Sequence, residues 1–69
     1  MNTKDIGVLI QQRRAVLGID QRALSEIAGV SVHTLSNIEA GKCNPTVATL
    51  SRILDALGMT LELTLKQMG

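Results

Sequence analysis

The segment from Gly18 to Lys42, GIDQRALSEIAGVSVHTLSNIEAGK, limits what this chain can fold into more than any other stretch. It carries two short helical patterns on either side of one glycine. Asp20 is a good cap for a helix from Gln21 to Ala28, with Leu24 and Ile27 expected to point inward. Gly29 supplies the positive φ that a tight turn between helices needs. Ser31 caps a following helix, Val32 to Glu39, in which Leu35 and Ile38 lie one turn apart. Val30 anchors the turn, and Ser25 is small where the two helices must approach. Val32, His33, Ser36 and Asn37 are left for the outer face of the later helix.

The flanks extend the helical reading. Thr3 is expected to cap a first helix, with Asp5 favourable in its first turn. Ile6, Ile10 and Leu17 recur at helical spacing with Arg14 on the same stripe, and Gly18 stands just past the end. Leu9 and Val16 lie beside that stripe and either widen the core or cover the C-terminal segment. Gly7 costs such a helix about 1 kcal/mol relative to alanine. It is either tolerated near a fraying end or admits another backbone at close range. Cys43-Asn44-Pro45 reads as a loop, because the residue before proline disfavours helix. Thr46 caps a fourth helix with a broad apolar face of Val47, Leu50, Ile53, Leu54 and Leu57, and Gly58 stops it.

The period then changes. Thr60 to Lys66, TLELTLK, alternates strictly, as a strand with one buried face does. A lone strand leaves backbone donors and acceptors unpaired. The simplest partner is the same strand of a second copy, antiparallel across a two-fold axis, with Leu61, Leu63 and Leu65 on the shared face. A frayed tail or a fifth helix are the alternatives, but a helix would scatter these leucines. The expected organisation is a domain over 1–58 and a dimerisation strand and tail over 59–69.

Composition sharpens this. The chain has 69 residues, and a domain near that length buries only about 60% of its extended-chain surface. Apolar residues make up 45%, with no Phe, Tyr or Trp, so aliphatic side chains must fill the core. Such a domain gains from burying more surface against a second copy. Seven Lys/Arg against six Asp/Glu give +1, so any nucleic-acid affinity must come from where the charges sit. The single Cys43 forms no intrachain disulfide, and without a signal-peptide pattern a reducing cytoplasm is expected. No apolar run approaches the ~20 residues that span a bilayer. His33 and Cys43 lack the further ligands of a tetrahedral metal site, and no spacing suggests a nucleophile with an oriented base. Neither enzyme, metal nor cofactor is expected, and no residues are left over for an effector domain.

Two helices joined by a glycine turn follow the helix-turn-helix plan. Gln21 to Ala40, with Leu24, Gly29, Leu35 and Ile38 in phase, resembles the Cro/repressor (XRE-type) family. Arg14-x-x-x-Gly18-x-x-Gln21, the run Ile38-Glu39-Ala40-Gly41-Lys42 and the Leu57-Gly58 close resemble it too, so the likeness covers residues 6 to 58. Ser25 stands where the family usually has alanine. A terminal strand in place of a fifth helix resembles the HipB-like antitoxin subset. The resemblance implies an all-α fold: a four-helix lambda-repressor-like DNA-binding domain with a C-terminal β-strand pairing across a homodimer. It implies a sequence-specific double-stranded DNA-binding regulator, a cytoplasmic, nucleoid-associated repressor acting on a palindromic operator. The alternative is an antitoxin that binds a HipA-like toxin and represses its own operon. A protein-interaction module that kept the fold and lost DNA binding is a third reading.

Residue by residue, the resemblance implies base contacts from Val32, His33, Ser36 and Asn37. Asn matches adenine bidentately, an imidazole N–H suits a guanine acceptor, and valine packs on a thymine methyl. It implies phosphate contacts from Gln21, Thr34 and Lys42, with Asn44 and Thr46 as additions. Arg22, near the start of the second helix, is either a further phosphate contact or a solvated charge. Arg13 is expected to face solvent or phosphate and Arg52 solvent, and Met59 and Met68 to act as filler. Arg14 and Glu39 match a structural ion pair that joins the first helix to the end of the third.

Overall fold

Each helix forms where the sequence supplies a cap before it and a stop after it. In the computed structural model, which describes residues 2–63, the helices are α1 (Thr3–Leu17), α2 (Gln21–Ala28), α3 (Val32–Glu39) and α4 (Val47–Ala56). Asp20, Ser31 and Thr46 accept from the backbone N–H of Ala23 (2.8 Å), Thr34 (3.0 Å) and Thr49 (3.1 Å). The cap of α1 is Asn2, one residue earlier than the sequence reading. Its Oδ1 accepts from Asp5 N–H at 2.9 Å while Asp5 Oδ2 accepts from Asn2 N–H at 3.3 Å. This reciprocal box satisfies two end groups, which a Thr3 cap would not.

α1 packs on α3, and α2 packs on both α3 and α4. Ile10, Leu24, Leu35, Ile38, Ile53 and Leu57 are fully buried where they meet, with Ala28 and Leu54 beside them. Ile6, Ile19, Val30, Leu50 and Met59 close the edges of this core. Three residues expected inside lie outside: Leu17 is 42% exposed, Ile27 64% and Val47 70%. α2 turns Leu24, Ser25 and Ala28 inward. At about 100° per residue, that face leaves Ile27 on the flank. The buried residues of α1 are Gly7 and Ile10, so the core ends before the last turn that carries Leu17. Val47, at the first position of α4, stands beyond the core margin.

A second, polar contact joins α1 to the end of α3. Thr3, Gly7, Gln11 and Arg14 recur along one side of α1 at helical spacing. Gly7 lies against the backbone of Ile38 and Glu39. Gln11 Nε2 donates to the Glu39 carbonyl at 3.1 Å, and Thr3 Oγ1 to the Gly41 carbonyl at 3.5 Å. The Glu39 carbonyl is one that a helix C-terminus leaves without an internal partner. Arg14 Nε and Nη2 donate to Glu39 Oε2 and Oε1 at 3.0 and 2.9 Å, and Arg14 Nη1 donates to the Ile19 carbonyl. Glu39 is 3% exposed, so its carboxylate depends on these partners. Hydrogen bonding to Glu39 holds the Arg14 guanidinium above its ordinary pKa, outweighing the opposing effect of burial. Stability from a raised basic pKa is complete below the unfolded value and is lost only as pH climbs through the folded one. For arginine that window is strongly alkaline, so Arg14 stays charged across the neutral range.

Arg13 does not face solvent as expected: its Nε donates to the Leu57 carbonyl at 3.0 Å and caps the end of α4. Val16 is exposed, whereas Leu9 is half-buried beside Ile6 and Leu54. After Gly58 the residues up to Leu63 take no regular secondary structure. Among the described residues no strand is present to pair with that segment. Thr64, Leu65, Lys66 and Met68 lie outside the described residues.

Two stability outcomes follow from the α1–α3 contact. Helix propensity alone makes Gly7→Ala stabilising by about 1 kcal/mol, but the new Cβ would stand 2.7 Å from the Ile38 carbonyl oxygen and closer still to that of Glu39. Overpacking of this kind costs about 1–3 kcal/mol, so a lowered urea midpoint is expected, and a raised one would show that the backbones separate freely. Arg14→Ala leaves a buried carboxylate without its cation and should cost about 3 kcal/mol, measured by denaturant unfolding.

Candidate nucleic-acid interface

α2, the Gly29 turn and α3 form one unit whose geometry follows from local chemistry. Gly29 has φ 71°, which lets the chain reverse within the residues between Ala28 and Ser31. Val30 N–H donates back to the Ser25 carbonyl at 3.0 Å. Ser25 is 3% exposed and satisfies its hydroxyl on the Arg22 carbonyl at 2.8 Å, so a polar atom is tolerated at a close helix crossing. With Leu35 and Ile38 held inside, α3 turns Val32, His33, Thr34 and Ser36 outward, and Asn37 is half-buried. Asn37 Nδ2 lies 3.3 Å from His33 Nε2, one turn away on the same face.

The flanking polar residues divide by what they are already bonded to. Arg22, Lys42 and Asn44 are exposed with no side-chain hydrogen bond among the described residues. Thr34 Oγ1 accepts from the Ser31 hydroxyl at 2.9 Å, which leaves its own proton free to donate. Thr46 caps α4, as its sequence position predicts, and spends its hydroxyl proton on Thr49 Oγ1 at 3.0 Å. Thr49, not singled out from sequence, therefore carries the free hydroxyl proton of that pair. The Thr-x-x-Thr spacing was the available signal.

Gln21 also has an inward duty. It is half-buried, and Nε2 donates to Glu39 Oε1 at 3.2 Å, joining the start of α2 to the end of α3. One amide hydrogen remains for an outside acceptor. Cys43 is an exposed free thiol. Among the described residues no group of three or more His, Cys, Asp or Glu side chains could hold a metal ion. No helix among them is long and apolar enough to cross a membrane.

The family model HTH_3, described as Helix-turn-helix, matches residues 10–63. An uncharacterized HTH-type transcriptional regulator of Haemophilus influenzae is 40% identical over 50 residues, 72% of this chain and 51% of that protein. The HTH-type transcriptional regulator PuuR of Escherichia coli is 31% identical over 55 residues, 80% of this chain and 30% of PuuR. The chain thus spans about half of the first relative and under a third of the second. Among solved structures, the clp gene regulator ClgR of Corynebacterium glutamicum superposes with a TM-score of 0.81 at 29% identity, covering 84% of this chain and 62% of ClgR. The restriction-modification controller protein C.AhdI of Aeromonas hydrophila superposes with a TM-score of 0.80, covering 83% and 86%, and at 19% identity it speaks for the fold alone. Agreement over most of the chain, in sequence and in the placing of four helices, makes this protein a member of the helix-turn-helix family.

Proposed function

We propose that this chain is the double-stranded DNA-binding part of a transcriptional regulator and acts as a repressor. The observation that carries the reading is the orientation of α3. Its apolar pair Leu35 and Ile38 is buried, and its opposite, polar side presents exposed His33 and Ser36 with half-buried Asn37 beside them. In such a unit the second helix enters the major groove and its exposed side chains meet base edges. Val32, His33, Ser36 and Asn37 take that role here. Arg22, Lys42, Asn44, the Thr34 hydroxyl and the remaining Gln21 amide hydrogen contact phosphates, which set register without reading sequence. Thr46 serves mainly as the α4 cap. The names of the sequence relatives, each an HTH-type transcriptional regulator, support a regulatory role. The antitoxin alternative, with a HipA-like toxin as partner, draws no support from them.

The proposed working form is a homodimer, with residues 1–58 reading DNA and 59–69 joining the copies. Ile6, Leu9, Leu50, Leu54, Met59 and Leu61 line an apolar cavity of about 410 Å³ at the base of the C-terminal segment, and Leu63 is 97% exposed beside it. A second copy brought across a two-fold axis would cover Leu61 and Leu63, with Leu65 as the third residue of that face. The operator is then palindromic, with half-sites about one helical turn apart, and binding excludes polymerase from the overlapping promoter.

Selection of bound sequences from a random duplex pool tests the reading: a palindrome should be enriched, and uniform recovery would overturn it. On the selected duplex, Lys42→Ala should reduce the slope of log K against log salt by about one unit; an unchanged slope removes Lys42 from the phosphate contacts. Replacing both Leu61 and Leu63 by lysine should leave a folded monomer in sedimentation, whereas a persistent dimer would place the interface elsewhere.

A further inference from the structure

Neighbouring arginines on α1 tie it to two different helix ends. Adjacent helical residues point about 100° apart, so Arg13 and Arg14 meet different partners. Arg14 clamps Glu39 at the end of α3. Arg13 Nε donates to the Leu57 carbonyl at 3.0 Å, just past the end of α4. Among the described residues this is the one side-chain hydrogen bond between α1 and the end of α4. Its direction is fixed by chemistry, because a guanidinium only donates and a carbonyl only accepts.

Leu57 is also where the C-terminal segment takes root. Gly58 has φ 71°, its N–H donates to the Asp55 carbonyl at 3.0 Å, and Met59 N–H donates to the Leu54 carbonyl at 2.8 Å. These bonds end α4 and turn the chain, but they act within that helix and tie the turn to no other. Met59 adds an apolar hold on the core, and apolar contacts are non-directional. Arg13 supplies the directional link. Its Nη2 stands 3.6 Å from the point that a Cβ on Gly58 would occupy, so the guanidinium lies over the turn itself.

We propose that Arg13 is a positioning residue: by pinning the root of the C-terminal segment to α1, it fixes the direction in which that segment leaves the domain, and so the spacing of the two half-sites that the dimer accepts. The inference rests on the dimer reading proposed above. α1 is then a strut, with the reading helix fixed to it by Arg14 and the joining segment by Arg13. The tolerance is small. Arg13 and Thr3, whose hydroxyl donates to the Gly41 carbonyl beyond α3, are ten residues apart, about 15 Å along the helix. A root that tilts by about 15° swings a point about 15 Å away by about 4 Å, more than the base-pair step of about 3.4 Å. An untethered root therefore admits half-site spacings one base pair longer or shorter.

The test uses the full chain in selection from a random duplex pool, with half-site sequence and half-site spacing read separately. Wild type should return one spacing. Arg13→Met keeps an apolar stem over the turn and removes the donor. It should return the same half-site sequence at spacings spread over neighbouring base-pair steps. In direct titration, the preference for the selected duplex over one lengthened by a base pair between half-sites should fall severalfold in Arg13→Met. This ratio cancels any change in general phosphate attraction. Arg13→Lys, whose ammonium can donate to the same carbonyl, should restore the single spacing. The same single spacing in wild type and Arg13→Met would overturn the positioning role while leaving the dimer reading intact. An altered half-site sequence would overturn it as well, because the loss would then act on α3. An unfolded Arg13→Met would do the same, since a residue that only directs the joining segment is dispensable to the domain. Wild-type sites without a two-fold repeat would overturn the dimer reading and this inference together.

Discussion

The Glu39 carboxylate organises this molecule. It is buried at the end of α3 and takes hydrogen bonds from Arg14 on α1 and Gln21 on α2. A carboxylate removed from water is costly unless paired and hydrogen-bonded. Three helices meet to satisfy it here. The neighbouring Gly7 and Gln11 contacts press the α3 backbone against α1 at the same point. The aliphatic core supplies most of the driving force, but aliphatic contacts are non-directional. The polar cluster is directional, and it determines how α3 is presented.

That presentation matters because α3 is short. Eight residues are too few for a helix to persist in water without tertiary support, since isolated helices below about 12–15 residues are marginal. Its outer side chains are useful to a groove only if the helix axis is held. α1 holds its C-terminal end, Leu35 and Ile38 hold its middle, and the Gly29 turn holds its start. The side chains opposite the core are thereby free of structural duty. A polar face can then be spent on recognition without loss of fold.

Much of the candidate interface was legible in the sequence, because inside and outside on a helix follow from spacing. Leu35 and Ile38 one turn apart leave His33, Ser36 and Asn37 on the other side, whatever the tertiary structure. The partners of the long polar side chains were not legible. Arg13 reaches the end of α4, Gln21 turns to Glu39, and Thr46 spends its proton on Thr49. Each of these depends on which acceptor lies within a few ångströms after folding. The Arg14–Glu39 pairing was suggested by family resemblance alone, since 25 residues separate the two and no periodicity relates them.

Local signals determined the helices. Caps at Asp20, Ser31 and Thr46, stops at Gly18, Gly29 and Gly58, and apolar spacing between them act over a turn or less, so they can be read without the fold. Two ambiguities needed the tertiary structure. Gly7 could be an idle weakness or a contact, and only the approach of the α3 backbone makes it a contact. Ile27, Leu17 and Val47 have core-like residue types, but burial depends on what faces them. Hydrophobicity states that a side chain gains from leaving water; it does not state whether another surface arrives to cover it.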